Sequence, residues 1–345
     1  MRFGIFLVTG RFAGQDDTAA LRRSVEAVVA AERAGFDDVW LAEHHFMPYG
    51  VCPSATTLAA HALGRTSRIE VGTAVSVLST AHPVALAEQA ALLTAVSGGR
   101  FRLGVGRGGP WLELEVFGTG TARYDHGFAE GLDLLLTALT EDEVGAEGEH
   151  FAFREVPMVP RVPGIRPPVV ACGSPESDAV RLAAARRLPM LLGLHADDEE
   201  KARTVAAYRA ATGTGGAEPA CGHISTVLCQ VADDTEQAVA AVRAALPGWL
   251  GPGLEAHVPV DGRRRARRDP VAYTERLCAI HPVGGPADCV ARLRAGIRRT
   301  GVSHVIMLVE ATGAPESTLA NIERIGAEVL PAVRAASSPA APGSG

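Results

Sequence analysis

Two adjacent histidines follow a short apolar run near the N-terminus of the chain. The run is DVWLAE at 38–43, and the histidines are His44 and His45. An imidazole titrates near neutral pH, so a histidine at a strand end can act as a general acid or base. Successive side chains of a strand point to opposite faces, and we therefore expect only one of the two to face a pocket. We predict that this residue is His44; a hydrogen-bonded structural histidine is the alternative, above all for His45.

Two further segments have the composition of an anion site. In GVGRGG at 104–109, glycines allow a ligand to approach the backbone, and Arg107 offers a fork of donors for a phosphate. The segment CGSPES, with Gly173, Ser174 and Ser177, opens a helix whose free N–H groups favour an anion. An ordinary serine N-cap is the alternative for this second segment. If the two segments follow neighbouring strands, both can reach one phosphate.

The segment GTAVSVL at 72–78 carries no charged residue. Such a neutral strand end suits packing against a planar aromatic ring, while a simple buried strand is the alternative. No second cluster of histidine, cysteine or carboxylate residues has the spacing of metal ligands, so we predict no metal site.

Eight short apolar runs, nearly all followed by an amphipathic helix, organise the chain. They lie at 2–8, 38–43, 69–77, 102–105, 168–172, 190–194, 224–231 and 304–309. This alternation predicts a parallel sheet, because parallel strands need crossover helices. Eight such units favour a closed (β/α)8 barrel, and no GxGxxG follows the first strand, which argues against a Rossmann sheet. In a barrel the residues described above would meet at the C-terminal ends of the strands.

Two insertions interrupt this rhythm. The one after the fourth strand occupies 107–123 and continues at 144–166, where the alternating HFAFREV suggests a hairpin. The one before the last βα unit occupies 247–282 and contains GRRRARRD, which is either a mobile lid or a solvated loop. We expect a single domain over 1–336 and a disordered tail at 337–345, which is rich in Ser, Pro, Ala and Gly.

Composition excludes several classes of function. The chain of 345 residues has a formal net charge of −6, which disfavours general binding of nucleic acid. It has no apolar run of membrane-spanning length, and its N-terminus does not have the pattern of a signal peptide. The six cysteines form no CxxC pair. We therefore expect a cytoplasmic protein in a reducing compartment, without a zinc site.

Taken together, these segments resemble the bacterial luciferase family of flavin-dependent monooxygenases, and most closely its α subunit. The similarity runs in order along nearly the whole chain. The motifs that carry it are GFDDVWLAEHHF at 35–46, RIEVGTAVSVLSTAHPVALAEQAALL at 68–93, SGGRFRLGVGRG at 97–108, VVACGSPES at 169–177 and HPVGGP at 281–286.

The resemblance implies a barrel that binds reduced FMN and reacts it with O2 to a C4a-hydroperoxide, which oxygenates a small organic substrate. His44 would be the acid or base beside the flavin. Ala74 and Val75 match a non-proline cis peptide that packs against the isoalloxazine ring, and Arg107 matches a phosphate-binding arginine. FADH2 and F420 are less favoured cofactors.

The sequence also departs from the family pattern. Gly106 stands where the luciferase α subunit has a reactive cysteine, and this predicts a roomier pocket without a thiol adduct. Ser174 and Ser177 fall in the phosphate-binding region, but in a loop that is longer here. The segment before HPVGGP is shorter and rich in arginine. These differences argue against light emission and a long-chain aldehyde, and the room at Gly106 suggests a tailoring step on a polycyclic aromatic secondary metabolite.

The resemblance further implies partners and leaves two alternatives open. A separate flavin reductase would supply FMNH2, and the chain would form a homodimer with His45 and Glu88 near the interface. One alternative is an F420-dependent oxidoreductase that transfers hydride without using O2. The other is a non-catalytic flavin-binding protein, against which the retained His44 argues.

Overall fold

Strands alternate with helices along the chain. The computed structural model describes residues 1–213, 219, 222–263, 265 and 268–335. The strands are β1 (Arg2–Leu7), β2 (Asp38–Leu41), β3 (Glu70–Thr73), β4 (Ser76–Val77), β5 (Phe101–Arg102), β6 (Gly104–Gly106), β7 (Glu143–Glu147), β8 (Ala152–Pro157), β9 (Val169–Cys172), β10 (Met190–Leu192), β11 (Ile224–Leu228), β12 (Gln230–Val231), β13 (Val283–Gly284) and β14 (His304–Leu308).

The helices cover most of the remaining described chain. They are α1 (Asp17–Arg33), α2 (Ala55–Arg65), α3 (Pro83–Val96), α4 (Glu113–Val116), α5 (Gly120–His126), α6 (Phe128–Thr140), α7 (Asp178–Ala185), α8 (Asp198–Thr212), α9 (Thr235–Glu255), α10 (Pro270–Ile280), α11 (Pro286–Thr300), α12 (Pro315–Arg324), a π-helical turn (Ile325–Val329) and α13 (Leu330–Ala335).

Ten of the strands form one curled parallel sheet. Their order is β4-β6-β9-β10-β11-β14-β1-β2-β3-β5. Only Leu103 separates β5, which pairs with β3, from β6, which pairs with β9. Each of the eight predicted runs contains or overlaps at least one of these strands. The predicted α/β class with a parallel sheet is confirmed, and the curled sheet is consistent with a (β/α)8 barrel.

Local sequence signals begin many of the helices. The Asp16 carboxylate accepts a hydrogen bond from the Ala19 N–H (2.7 Å) ahead of α1, and Asp197 accepts one from the Glu200 N–H (2.9 Å) ahead of α8. Such caps satisfy N–H groups that the helix itself leaves free. They fix the residues at which α1 and α8 begin.

The structure differs from the sequence prediction around two helices. The residue pattern over 124–139 predicts one continuous helix, but the structure divides this segment at Gly127 into α5 and α6. The pattern over 235–246 predicts a helix that ends before Pro247, and this end is wrong, because α9 continues to Glu255 and includes two prolines. Burial of Trp249 and Leu250 in an apolar cluster stabilises this extension despite the prolines.

The predicted insertion at 247–282 is therefore largely helical, since it contains the end of α9 and all of α10. Of the predicted lid, Arg264, Ala266 and Arg267 lie outside the described residues, as does the predicted tail at 337–345. The hairpin predicted from HFAFREV is confirmed: β7 and β8 are antiparallel, with Val144 opposite Val156.

A buried carboxylate joins three strands at the end of the sheet where β2 begins. Asp38 lies within 3.0 Å of His304 Nε2 and accepts hydrogen bonds from Trp40 Nε1 (2.9 Å) and the Arg2 guanidinium (2.9 Å). Its charged partners outweigh the cost of burial and lower the pKa of Asp38 to about 2. This network links β1, β2 and β14 at their N-terminal ends, away from the residues predicted to do chemistry.

A second buried ion pair lies at the opposite ends of β1 and β14. Arg23 of α1 donates to Glu310 Oε1 (2.8 Å) and to the Gly10 carbonyl (2.6 Å). The second oxygen of Glu310 accepts hydrogen bonds from the backbone N–H groups of Val8 (2.7 Å) and Thr9 (3.1 Å). The pair thus fixes the chain that leaves β1.

Candidate active site

One cavity of about 880 Å³ lies where the strands end. Its walls come from the residues that follow β2, β3, β6, β9 and β10 and from the segments around α4, α5, α7 and α9. Of the predicted site residues, Ser174 does not line the cavity. Those that line it are His44, Ala74, Val75, Gly106, Arg107, Gly173 and Ser177.

His44 presents a neutral imidazole to this cavity. Its backbone N–H donates to the Cys52 carbonyl (3.0 Å), and its ring packs edge-on against Tyr49 with 5.1 Å between ring centroids. A Cβ atom at Gly50 would lie 2.5 Å from His44 Nδ1, so glycine is needed for the ring to fit. Burial, with the nearby His257 and His45, lowers the pKa of His44 to about 3. Nδ1 is buried, and no described residue forms a hydrogen bond with it.

Glu43 holds the segment that carries His44, and the sequence analysis did not identify it. One carboxylate oxygen accepts from the Ala55 N–H (3.1 Å) at the start of α2, and the other accepts from the Val77 N–H (3.2 Å). Burial raises the pKa of Glu43. The side chain ties the end of β2 to two neighbouring elements, and so acts as a positioning residue for His44.

The peptide between Ala74 and Val75 is cis, as the resemblance implied. Across from it, a Cβ atom at Gly106 would lie 2.7 Å from Val75 Cγ2 and 3.3 Å from Ala171 Cβ. The prediction of a roomier pocket at Gly106 is therefore wrong at this point. Val75 and Ala171 already occupy the space that a side chain would take.

Arg107 brings a positive charge to the cavity wall. Its guanidinium carbon lies 4.8 Å from the centre of the Tyr124 ring, and its carbonyl accepts a hydrogen bond from Ser79 Oγ (2.6 Å). Within the described ranges, no carboxylate forms an ion pair with Arg107. A half-buried guanidinium of this kind can pair with an anionic ligand.

The start of α7 borders the same cavity but has its own structural role. Ser177 Oγ accepts a hydrogen bond from the Ala179 N–H (3.2 Å), which makes Ser177 the N-cap that the sequence left as the alternative. The Ser174 carbonyl accepts from the Ser177 N–H (3.1 Å). His195, which was not predicted, lines the cavity and donates from Nε2 to the Gly173 carbonyl (3.1 Å).

Three rings form what we call the aromatic wall of the cavity: Tyr49, Trp111 and His257. The His257 ring meets Trp111 edge-on at a centroid distance of 5.0 Å and Tyr49 at 5.4 Å. Tyr49 in turn stacks on Trp249 of α9 at 4.7 Å. Trp111 and His257 are far apart in the sequence, so no local pattern could have indicated this contact.

The two segments that supply the aromatic wall are joined by backbone contacts. Trp111 and Pro259 form an isolated antiparallel bridge, and the Val260 N–H donates to the Pro110 carbonyl (2.8 Å). The Arg265 guanidinium lies 5.5 Å from the centre of the Trp111 ring. The segment after β6 and the segment after α9 therefore meet beside the cavity.

Glu113 adds a buried carboxyl group to the cavity. It belongs to the short α4 and is only 5% exposed. Burial raises its pKa, and Oε2 has no hydrogen-bond partner among the described residues. A buried polar atom without a partner costs free energy, which a bound ligand could recover.

Two general features of the described chain bear on its chemistry. No group of three or more His, Cys, Asp or Glu side chains is arranged to hold a metal ion within these residues. Among the same residues, no helix has the length and apolar character needed to cross a membrane.

The model of the luciferase-like monooxygenase family matches residues 1–304. The chain belongs to this family. The resemblance seen in the sequence is confirmed. The alkanal monooxygenase alpha chain of a Kryptophanaron alfredi symbiont is 28% identical over 349 residues, which cover 96% of this chain and 98% of that relative.

Solved structures of monooxygenases are also similar. Monooxygenase RslO1 from Streptomyces bottropensis is 25% identical, with a TM-score of 0.82 over 96% of this chain and 99% of that one. The oxygenating constituent of 3,6-diketocamphane monooxygenase from Pseudomonas putida, in complex with FMN, is 19% identical with a TM-score of 0.76, over 96% and 98%. An F420-dependent secondary alcohol dehydrogenase is 17% identical with a TM-score of 0.75, over 96% and 99%. The last two show a shared fold only.

Proposed function

We propose that this family member is a flavin-dependent monooxygenase that uses reduced FMN and O2. In the overall reaction, substrate, O2 and FMNH2 give the oxygenated substrate, FMN and water. The observation that carries the proposal is that one cavity contains both a neutral imidazole, His44, and a guanidinium, Arg107, that has no carboxylate partner among the described residues. The pairing of β5 with β3 and of β6 with β9 supports a closed (β/α)8 barrel with this cavity at its mouth.

The residues present fit a flavin phosphate and ring. Arg107 would hold the phosphate as an ion pair. The uncharged segment with Ala74 and Val75 would lie against the ring, and the imidazole of His44 lines the same cavity. When bound, reduced FMN supplies the two electrons and reacts with O2.

The protein itself contributes proton transfer, position and exclusion of water. His44 is neutral over the physiological range, so its imidazole can accept a proton from a reacting group and later return it. Glu43 ties the segment that carries this imidazole to the N–H groups of Ala55 and Val77. The aromatic wall reduces the access of water to the reacting atoms.

Substitution of His44 by alanine tests the catalytic assignment. Loss of an acid–base group is expected to lower the rate of product formation by a factor on the order of 10²–10⁴, while the affinity for reduced FMN stays nearly unchanged. Arg107→Ala is the reciprocal control: it should weaken FMN binding by about tenfold or more, because a charge-assisted contact is lost. Unchanged turnover in His44→Ala would remove His44 from the mechanism.

A second candidate function is hydride transfer with F420, which the shared fold with an F420-dependent alcohol dehydrogenase supports. Anaerobic titrations with FMNH2, FADH2 and F420H2, each followed by addition of O2, distinguish the two. Monooxygenation requires tight binding of FMNH2 and uptake of O2 that depends on substrate. Preference for F420H2 without O2 uptake would establish the alternative, and flavin binding without any product would indicate a non-catalytic protein.

We also propose that the chain is a cytoplasmic homodimer to which a separate reductase supplies FMNH2. An exposed apolar patch supports the dimer: Phe46 and Phe117 are 55% and 45% exposed, and their rings are 5.7 Å apart. The ring of His45 contacts Phe117 at 4.9 Å, and Glu88 is exposed on α3. Light scattering should give twice the chain mass for the native protein and the single mass for Phe117→Asp.

A further inference from the structure

The aromatic wall offers a ligand flat, firmly held ring surfaces. The His257 ring meets the rings of Trp111 and Tyr49 edge to face. Trp249 stacks on Tyr49 and donates from Nε1 to the Tyr49 carbonyl (3.0 Å), which holds Tyr49 in place. Edge-to-face and offset contacts are the arrangements that aromatic groups prefer. A planar aromatic ligand can extend this set of contacts, whereas a flexible aliphatic chain gains no such geometry.

His257 places one hydrogen-bond acceptor on this wall. Its Nδ1 lies 2.8 Å from the Gly253 carbonyl, and because a carbonyl oxygen only accepts, Nδ1 carries the hydrogen. Burial lowers the pKa of His257, so the ring is neutral and Nε2 keeps its lone pair. A ligand that pairs with Nε2 must therefore donate a hydrogen.

Glu113 provides the second polar group, two residues after Trp111. Its Oε2 is buried and lacks a partner in the described chain. An ionised carboxyl would accept a hydrogen bond, and a protonated one would donate. A hydroxyl group can both donate and accept, so it suits Glu113 in either protonation state and also suits His257.

We infer that the aromatic wall, together with Glu113, binds a planar aromatic substrate that carries a hydroxyl group, which donates to Nε2 of His257. The inference rests on the proposed function in placing substrate and flavin in the same cavity. The inferred substrate class differs from the alkanal in the name of the related alkanal monooxygenase alpha chain.

The same groups disfavour other substrate classes. A carboxylate or sulfonate substrate would face the carboxyl group of Glu113 and has no hydrogen to offer His257. A long-chain aldehyde has only an acceptor oxygen and would leave Nε2 unpaired. An unsubstituted aromatic hydrocarbon fits the rings but leaves both polar groups desolvated, which costs affinity.

Binding of four probe compounds tests the inference without requiring turnover. The probes are 2-naphthol, naphthalene, 2-naphthoate and decanal, titrated by calorimetry against the full-length protein, anaerobically, with and without reduced FMN. We expect 2-naphthol to bind about tenfold more tightly than naphthalene, as one additional hydrogen bond predicts. The inference is overturned if, with reduced FMN present, naphthalene, 2-naphthoate or decanal binds as tightly as 2-naphthol, or if 2-naphthol does not bind.

Substitutions at His257 test the assigned contact. His257→Phe keeps a ring but removes the acceptor, so the preference for 2-naphthol over naphthalene should fall to about twofold or less. His257→Gln retains an acceptor oxygen and should keep part of the preference. His126→Phe makes the same change at another cavity-lining histidine and should keep all of it. An unchanged preference in both His257 variants would overturn the inference.

Failure of the proposed function gives a different result. If reduced FMN does not bind, or no O2 is consumed, while 2-naphthol still binds in a manner that depends on His257, the monooxygenase proposal fails and the substrate site stands. If FMN-dependent oxygenation is found but only with aliphatic substrates, the substrate inference fails alone.

Discussion

Replacement of Arg23 by methionine should destabilise the protein severely. Arg23 is 1% exposed and donates to the Gly10 and Gly313 carbonyls and to Glu310, which is itself buried. Methionine fills similar space but leaves the Glu310 charge buried without its counter-ion. Removing one partner of a buried ion pair costs about 3–5 kcal/mol, a large part of the total stability of a typical domain.

Urea denaturation followed by circular dichroism measures this loss as a decrease in the free energy of unfolding. The double variant Arg23→Met, Glu310→Gln should recover part of the loss, because the glutamine is uncharged and its oxygen still accepts from the Val8 and Thr9 N–H groups. Arg243→Met is the matched surface control, since its pair with Glu275 is exposed. If Arg23→Met costs no more than Arg243→Met, the pair does not anchor the end of β1 as we argue.

Three further predictions concern pH and packing. The pKa of Asp38 in the folded protein is about 2, against an ordinary value of 3.8, so Asp38 should contribute about 2 kcal/mol to the free energy of unfolding above pH 4, and this contribution should be lost as the pH falls towards 2. The free energy of unfolding should therefore fall less steeply with decreasing pH in Asp38→Asn than in the native protein, and the same slope in both would contradict this prediction. Gly106→Ala should lower the free energy of unfolding, measured by thermal denaturation, by about 1–3 kcal/mol, because the added methyl group crowds Val75. The further change Val75→Ala should recover part of this loss, and an unchanged stability of Gly106→Ala would contradict the prediction. Since the pKa of His44 is about 3, kcat/KM should show no loss attributable to His44 between pH 8 and 5, and a decline near pH 6.5 that vanishes in His44→Ala would contradict this.

The parts of the site that the sequence predicted are those encoded by short, local patterns. His44 and Arg107 lie within a few residues of the ends of β2 and β6, and a run that forms a parallel strand brings the residues that follow it to the common edge of the sheet. Ser177 was recognised as a residue of a helix start because N-caps depend on a few adjacent residues, and the structure shows this capping role. These signals need no knowledge of what packs against them.

The contacts that the sequence could not predict join residues that are distant in the chain. Trp111 meets His257 only because the segments after β6 and α9 cross beside the cavity. The course of α9 past Pro247 depends on the burial of Trp249 against the core, which outweighs the local tendency of proline to end a helix. The prediction of extra room at Gly106 failed because the sequence alone does not show that Val75 and Ala171 fill the space beside this glycine.

The cavity combines one charged group, Arg107, with several buried groups that are shifted towards their uncharged forms. Desolvation lowers the pKa of His44 and His257 and raises that of Glu43 and Glu113, so each of these groups is shifted towards its uncharged form. Arg107 keeps its charge, because a guanidinium does not lose its proton in proteins. An anionic group that enters the cavity is therefore drawn to Arg107, while the aromatic wall and His44 remain available to neutral, hydrogen-bonding groups. The proposed division between a phosphate end and a substrate end follows from this difference in charge.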